Sequence, residues 1–264
     1  MQNVMDSDKR LPAELTFDKN DVDAAYDYLK ENPIEFFKIP YVRAMLAERR
    51  LASVSEDQII TFDPKGADIK DFTIKHNKTQ LMGGAALFRP SLLINPLLSI
   101  DYVWKNAAQM KILSVGPRTE AEIFALIGGG FLPQNISALD LISYSKFIDL
   151  GDMHAMPYSA GSFDVVILGW VIGYSDNPEK VISETLRIAK PGAFICIGGE
   201  FNPNDRNEET AERYDRYWHR TQTLIEMFGD KVDAVIFRSD VHPEMTDEVH
   251  HVMVIFRLEG TSEL

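Results

Sequence analysis

The chain has a single cysteine, Cys196, among 264 residues. One cysteine excludes an internal disulfide framework and any multi-cysteine metal site, and it fits a cytoplasmic protein best. Long hydrophobic runs are also missing. The longest strongly apolar stretch, Val165–Tyr174, falls short of the ~20 residues that a membrane span needs. The first residues, MQNVMDSDKR, lack the apolar core of a secretory signal. A surplus of basic charge is absent as well. The formal net charge is -13, with 13 basic and 15 acidic side chains in residues 1–100 and 14 basic and 25 acidic in the remainder. Such an acidic body repels phosphate backbones, which makes nucleic acid a poor partner. There is no internal repeat and no low-complexity stretch.

What remains is an ordinary globular composition, 45% hydrophobic and 25% charged, with length for one large domain or for one domain and a cap. From Asp21 the pattern is helical. Val22, Ala25, Tyr26 and Leu29 fall at i, i+3, i+4 and i+7 and make one apolar stripe. Asn32-Pro33 breaks it and opens a second helix carrying Ile34, Phe37, Tyr41, Met45 and Leu46, with Pro40 as a kink or break. Residues 55–80 read as weak strands or extended loops around Ile59–Phe62 and Phe72-Thr73-Ile74. Gly83-Gly84 and Arg89-Pro90 mark a mobile connection. A short helix over Pro96–Ala107 then leads onward.

At Lys111 the rhythm changes to strand–helix alternation. Strands are expected at Lys111–Val115, Ile136–Leu139, Phe147–Leu150, Phe163–Leu168, Ala193–Ile197, Val232–Phe237 and Val249–Phe256. Helices are expected at Thr119–Ile127, Pro178–Ala189 and Glu208–Phe228, with Lys190-Pro191-Gly192 stopping the second. Strands separated by helices predict an α/β fold with a mostly parallel sheet. Ligands of such sheets bind beyond the carboxyl ends of the strands. One strand end is Gly116-Pro117-Arg118-Thr119, where Thr119 and Glu122 have the spacing of a capping box. It reads equally as a plain strand-to-helix turn. Asp140 ends the second strand, where a carboxylate can accept from vicinal ribose hydroxyls. Gly151-Asp152-Met153-His154 follows the third. There a carboxylate can accept from an adenine amine, and a thioether offers a soft apolar surface.

In order along the chain stand Gly-Asp-x-x-x-x-Pro-Tyr (Gly151–Tyr158), Ser-Phe-Asp-Val-Val (Ser162–Val166) and Glu-x-x-Arg-x-x-Lys-Pro-Gly (Glu184–Gly192). This set resembles the class I S-adenosylmethionine-dependent methyltransferases, nearest to the ubiquinone- and sterol-type small-molecule subgroup. The resemblance covers about residues 111–200. It implies a Rossmann-like sheet with an antiparallel last strand and helices on both faces. Residues 109–264 would then form the S-adenosylmethionine-binding domain and residues 1–108 a mainly helical extension or cap.

The resemblance also implies roles. Gly116, Pro117, Arg118 and Glu120 would meet the methionine part of S-adenosyl-L-methionine, with Glu120 or Glu122 holding its ammonium. Asp140 and Leu141 would take the ribose, and Asp152, Met153 and His154 would flank the adenine. Gly169 and Trp170 would lie between cofactor and acceptor. The family's first loop reads acidic-x-Gly-x-Gly-x-Gly. Here it reads Ser114-Val115-Gly116-Pro117-Arg118-Thr119-Glu120, with one glycine of three.

Methyl transfer is a direct displacement, so alignment dominates and a general base helps some acceptors. His154 and Tyr174 are the leading candidates for such a role, ahead of Tyr144, Glu200 and His219. For His154 a structural loop histidine is an equal reading. His242, His250 and His251 flank Glu244 and Asp247 without a metal-ligand spacing, so no metal is expected. Tyr214, Tyr217, Trp218 and Thr221 form a stripe beside Arg213, Arg216 and Arg220. It reads as packing plus a solvated face, or as a wall that binds an anionic acceptor. The acceptor is expected to be a small molecule. Two other functions compete: a non-catalytic binding or regulatory module on the same fold, and a nicotinamide oxidoreductase. The latter needs Gly-x-Gly-x-x-Gly, which Gly116–Ala121 lacks.

Overall fold

Strands that are apolar on both sides demand a sheet covered on both faces. The computed structural model, which describes residues 17–63, 68–82, 89–175, 177–201, 220–244 and 249–260, contains such a sheet. In chain order its elements begin with α1 (Lys19–Glu31), a 3-10 turn (Pro33–Lys38), α2 (Pro40–Ala52), β1 (Ile60–Thr61) and α3 (Asp68–Met82). Then come α4 (Arg89–Leu98), α5 (Asp101–Asn106), β2 (Ile112–Val115), α6 (Glu120–Gly128), β3 (Ile136–Asp140), β4 (Ile142–Ser143) and β5 (Asp149–Leu150). The last are β6 (Phe163–Gly169), α7 (Pro178–Ile188), β7 (Ala189–Phe201), α8 (Thr221–Glu226), β8 (Val232–Ser239) and β9 (His250–Leu258). The polar residues before Phe17, the Gly83-Gly84 connection, His219, Asp247 and most of the helix expected over Glu208–Phe228 lie outside the described residues.

Seven strands pair in the order β5-β3-β2-β6-β7-β9-β8. The pairs β2–β3, β2–β6, β3–β5 and β6–β7 are parallel, and β9 is antiparallel to β7 and β8. This is a Rossmann-like sheet, as expected. Alternation along β6 explains the double cover. Val165 and Ile167 face α4 and α5 through Leu93, Ile94, Leu97 and Val103. Val166 and Leu168 face Val181 and Ile182 of α7 and Leu224 of α8. Among the described residues no helix is long and apolar enough to cross a membrane.

Four local expectations are corrected. Residues 68–82 form α3 rather than strands, and only Ile60–Thr61 of that region is extended, paired with Ser143 and Ile142. Pro40 opens α2 at its first position instead of kinking a longer helix. Pro96 lies inside α4, and the chain re-forms a separate α5 after Ser99-Ile100. Finally, Lys190-Pro191-Gly192 does not separate helix from strand. Pairing begins at Ala189 opposite Phe163 and resumes at Phe194 opposite Val165, so the turn is absorbed as an irregularity in β7.

The N-terminal helices are tied to the sheet by charge as well as packing. Glu120 is 1% exposed. Its carboxylate accepts from Nε and Nη2 of Arg50, the latter at 3.0 Å, and from the Ser145 hydroxyl. A buried carboxylate is tolerated only when paired and hydrogen-bonded. Arg50→Met should therefore lower the unfolding free energy by about 2–4 kcal/mol. Lys105→Met, at the exposed pair with Asp101, should leave the midpoint unchanged. Urea unfolding of the two variants checks this.

Candidate functional site

The strand order reverses between β2 and β6, and the crevice beyond their carboxyl ends is where such sheets take ligands. A cavity of about 620 Å³, partly open to solvent, lies there. Its lining brings together Gly116, Arg118, Asp140, Leu141, Asp152, Met153, His154, Trp170 and Tyr174, all expected at the site. Val115, Leu139, Gly151 and Val171 complete the sheet side, and Thr73 and Asn77 of α3 cover it. Pro117, Glu120 and Gly169 are not in the lining. Pro117 is buried and Glu120 faces Arg50, while Gly169 ends β6 one residue before Trp170.

The first turn departs from the glycine pattern in composition but keeps the conformation. Gly116 has φ +71, and a Cβ there would lie 2.1 Å from Cγ1 of Val171. Arg118, at the second glycine position, has φ +56. That region disfavours a side chain, so surrounding bonds must hold it. One is at hand: the Arg118 amide donates to Oδ2 of Asp140 at 3.1 Å. Asp140 also accepts from the amide of Ile142 at 3.2 Å. Burial pushes the Asp140 carboxyl above the ordinary range, against the pull of these amides and of the Arg118 charge. The capping box is only half present. Thr119 accepts from the amide of Ala121 at 3.3 Å, but Glu122 turns inward to accept from the Ser114 hydroxyl.

The opposite wall is clamped. His154 joins Oδ1 of Asp152 through Nδ1 at 2.6 Å and Oγ of Ser175 through Nε2 at 2.7 Å. The ring is thus a strut between the loop after β5 and the loop after β6, with both nitrogens engaged. Glu184 of α7 accepts from the amide of Met156 at 2.9 Å and from Arg187. Arg187 in turn donates to the carbonyls of Tyr158 and Met156 at 2.7 and 2.9 Å. Glu-x-x-Arg therefore holds the loop that carries Asp152, Met153 and His154. At the other end of β6, Lys190 donates to both Asp164 oxygens at 2.8 Å.

Trp170, at φ +59, lays its indole over Gly198 and donates from Nε1 to Nδ1 of His251 at 3.1 Å. Tyr174 stands with its ring centroid 5.9 Å from that of His76 of α3. Tyr144 is set apart. Its hydroxyl accepts from the amide of Glu120 at 3.0 Å, and burial raises it to about 12. Glu200 is exposed on β7, and His219 lies outside the described residues. Among the described residues no cluster of three or more His, Cys, Asp or Glu side chains can hold a metal ion. Sequence reading missed Thr73, Asn77, Val171 and Ser175. Thr73 and Asn77 are four residues apart, a same-face spacing visible only once 68–82 is read as a helix.

Residues 134–197 match a family model described as a methyltransferase domain. The chain carries a class I methyltransferase domain. Over 64 residues the domain is 36% identical to norajmaline N-methyltransferase of Rauvolfia serpentina, covering 24% of this chain and 22% of that protein. It is 33% identical over 81 residues to the biotin biosynthesis bifunctional protein BioHC of Teredinibacter turnerae, covering 30% of this chain and 14% of that protein. The chain thus spans less than a quarter of the length of these curated relatives. Among solved structures, N-methyltransferase NodS from Bradyrhizobium japonicum, in complex with S-adenosylhomocysteine, aligns at 16% identity and TM-score 0.44. That alignment covers 82% of this chain and 98% of that one.

The clamp on the methyltransferase domain's loop gives a stability prediction. The Arg187 guanidinium holds the Glu184 carboxyl below the usual range. Its stabilising contribution is complete above the ordinary value of about 4.3 and is lost as pH falls through the depressed folded value. Glu184→Gln should cost about 1–2 kcal/mol at neutral pH. The gap to wild type should close below about pH 4, measured by urea unfolding across pH.

Proposed function

We propose that the protein is an S-adenosylmethionine-dependent methyltransferase acting on a small-molecule acceptor. One observation carries the reading: a single crevice at the switch point sets the Asp140 carboxylate, the Arg118 cation and the apolar Leu141 and Met153 side by side. These fit, in turn, a ribose diol, an amino-acid end and an adenine ring. The methyltransferase-domain match over residues 134–197 supports it. The printed names of the alkaloid N-methyltransferases and of sterol 4-C-methyltransferase strm-1 from Caenorhabditis elegans support a small acceptor.

When bound, S-adenosylmethionine supplies the methyl group and its own leaving group. The chain's residues supply position. We assign Asp140 to the ribose hydroxyls, Leu141, Asp152 and Met153 to the adenine side, and the Gly116–Arg118 turn to the amino-acid end. Trp170, 7% exposed, closes the floor toward the acceptor. Thr73 and Asn77 roof the crevice, which gives residues 1–108 the role of a cover. Tyr174, beside His76, is assigned to the acceptor. His154, fixed at both nitrogens, serves first to hold the two loops in register and only through Ser175 to move a proton. The buried lone cysteine and the acidic charge support a cytoplasmic protein without a nucleic-acid partner.

S-adenosylhomocysteine should bind the wild-type chain with measurable heat in a calorimetric titration. Asp140→Asn should weaken it by about 1–3 kcal/mol, through loss of charge-assisted hydrogen bonds, with the fold retained by circular dichroism. No heat and no thermal shift at millimolar ligand would overturn the reading.

A further inference from the structure

A strand-to-helix turn usually greets an anion with unused backbone N–H groups. In this chain the turn has none to offer from Gly116 to Ala121. Gly116 donates to the Leu139 carbonyl at 2.8 Å, and Pro117 has no N–H. Arg118 donates to Asp140, Thr119 to the Pro117 carbonyl, Glu120 to the Tyr144 hydroxyl and Ala121 to Thr119 Oγ1. Glu120 and Glu122, the nearest side chains on α6, are acidic and face Arg50 and Ser114.

The turn does place a side-chain cation in the crevice. Arg118 is the one lysine or arginine among the described lining residues. Its backbone is held in the left-handed region at φ +56 by the bond to Asp140. Such a conformation costs a non-glycine residue about 1–2 kcal/mol. Strain of this kind persists where the surroundings impose it, and it clusters at ligand sites. A guanidinium is a planar fork of donors that matches a carboxylate with two parallel bonds.

We propose that the Arg118 side chain, in place of backbone amides, receives the carboxylate of the cofactor's amino-acid end. This rests on the methyltransferase reading above. Arg118 then sets specificity: the crevice selects adenosyl thioethers that carry a free carboxylate over those that lack one. Asp140, on the same tie, marks the ribose end, so two opposite charges joined by one amide bond fix both ends of the ligand.

The test uses the full chain and two probes. S-adenosylhomocysteine carries the carboxylate, and 5′-methylthioadenosine keeps the adenosyl thioether without the amino-acid end. Wild type should bind the first at least about tenfold more tightly by calorimetry. Arg118→Met should lose at least about tenfold for S-adenosylhomocysteine and stay within about twofold for 5′-methylthioadenosine. Arg118→Gly, which suits the positive φ, should show the same selective loss with an unchanged or raised Tm, so a misfolded Met variant does not decide the matter. Equal weakening of both probes in Arg118→Met and Arg118→Gly would assign the residue a backbone role and overturn the inference. Undiminished binding of S-adenosylhomocysteine would do the same, returning the guanidinium to an acceptor's carboxylate. No binding of either probe by wild type would instead overturn the methyltransferase reading and this inference with it.

Discussion

The crevice depends on one buried carboxylate. Asp140 ends β3 and accepts the Arg118 amide from the turn after β2 and the Ile142 amide from β4. Both bonds reach backbone, so they fix conformation and not merely proximity. The first keeps the turn left-handed at a residue with a full side chain. The second fixes β4, to which the N-terminal arm adds β1. A carboxylate at 6% exposure is an expensive group to bury, and two amides with a nearby cation offset that cost. The same atoms that organise the site thus stand ready, at its edge, to meet a ligand.

The other side of the crevice is held by ion pairs that work as fasteners. Glu184 and Arg187 lie three apart on α7 and face the loop after β5 together. Between them they engage the Met156 amide and the carbonyls of Met156 and Tyr158. That loop has little apolar surface of its own, so fixed backbone bonds must give it shape. Asp164 and Lys190 do comparable work where β6 begins, and Asp164 also accepts the Lys111 amide at 2.8 Å. Residues that read as motif positions in the sequence are therefore partners of one another in space. Their recurrence in a fixed order reflects contacts that the sheet requires.

How much of this was legible follows from the range of each signal. The β6 run is apolar at every pleat, so its place at the centre of the sheet could be read from composition alone. The carboxylates at strand ends were legible because topology, not sequence neighbours, puts strand ends at ligand sites. α3 was not legible. Phe72-Thr73-Ile74 is β-prone over three residues, and the helix has no clear apolar stripe, because part of one face looks into the crevice with Thr73 and Asn77. Local propensity lost there to tertiary context. Glu120 looked like a ligand for an ammonium group because its partner, Arg50, lies 70 residues earlier. Likewise His154 read as a free base only while Asp152 and Ser175 were not known to hold both of its nitrogens.

The bridge between Arg50 and Glu120 also bears on the order in which the molecule assembles. A contact across 70 residues closes a long loop, and that entropy is repaid only when both ends are already fixed. Glu120 is fixed by α6 against the sheet, and Ser143, the partner of Ile60, by β4 beside Asp140. The sheet must therefore exist before the arm has anything to grip. Folding proceeds from the strands outward, and the wall that carries Thr73 and Asn77 is the last to be laid. By the same logic it opens first when stability is lowered, so amide exchange should be fastest in the arm while the crevice floor stays closed.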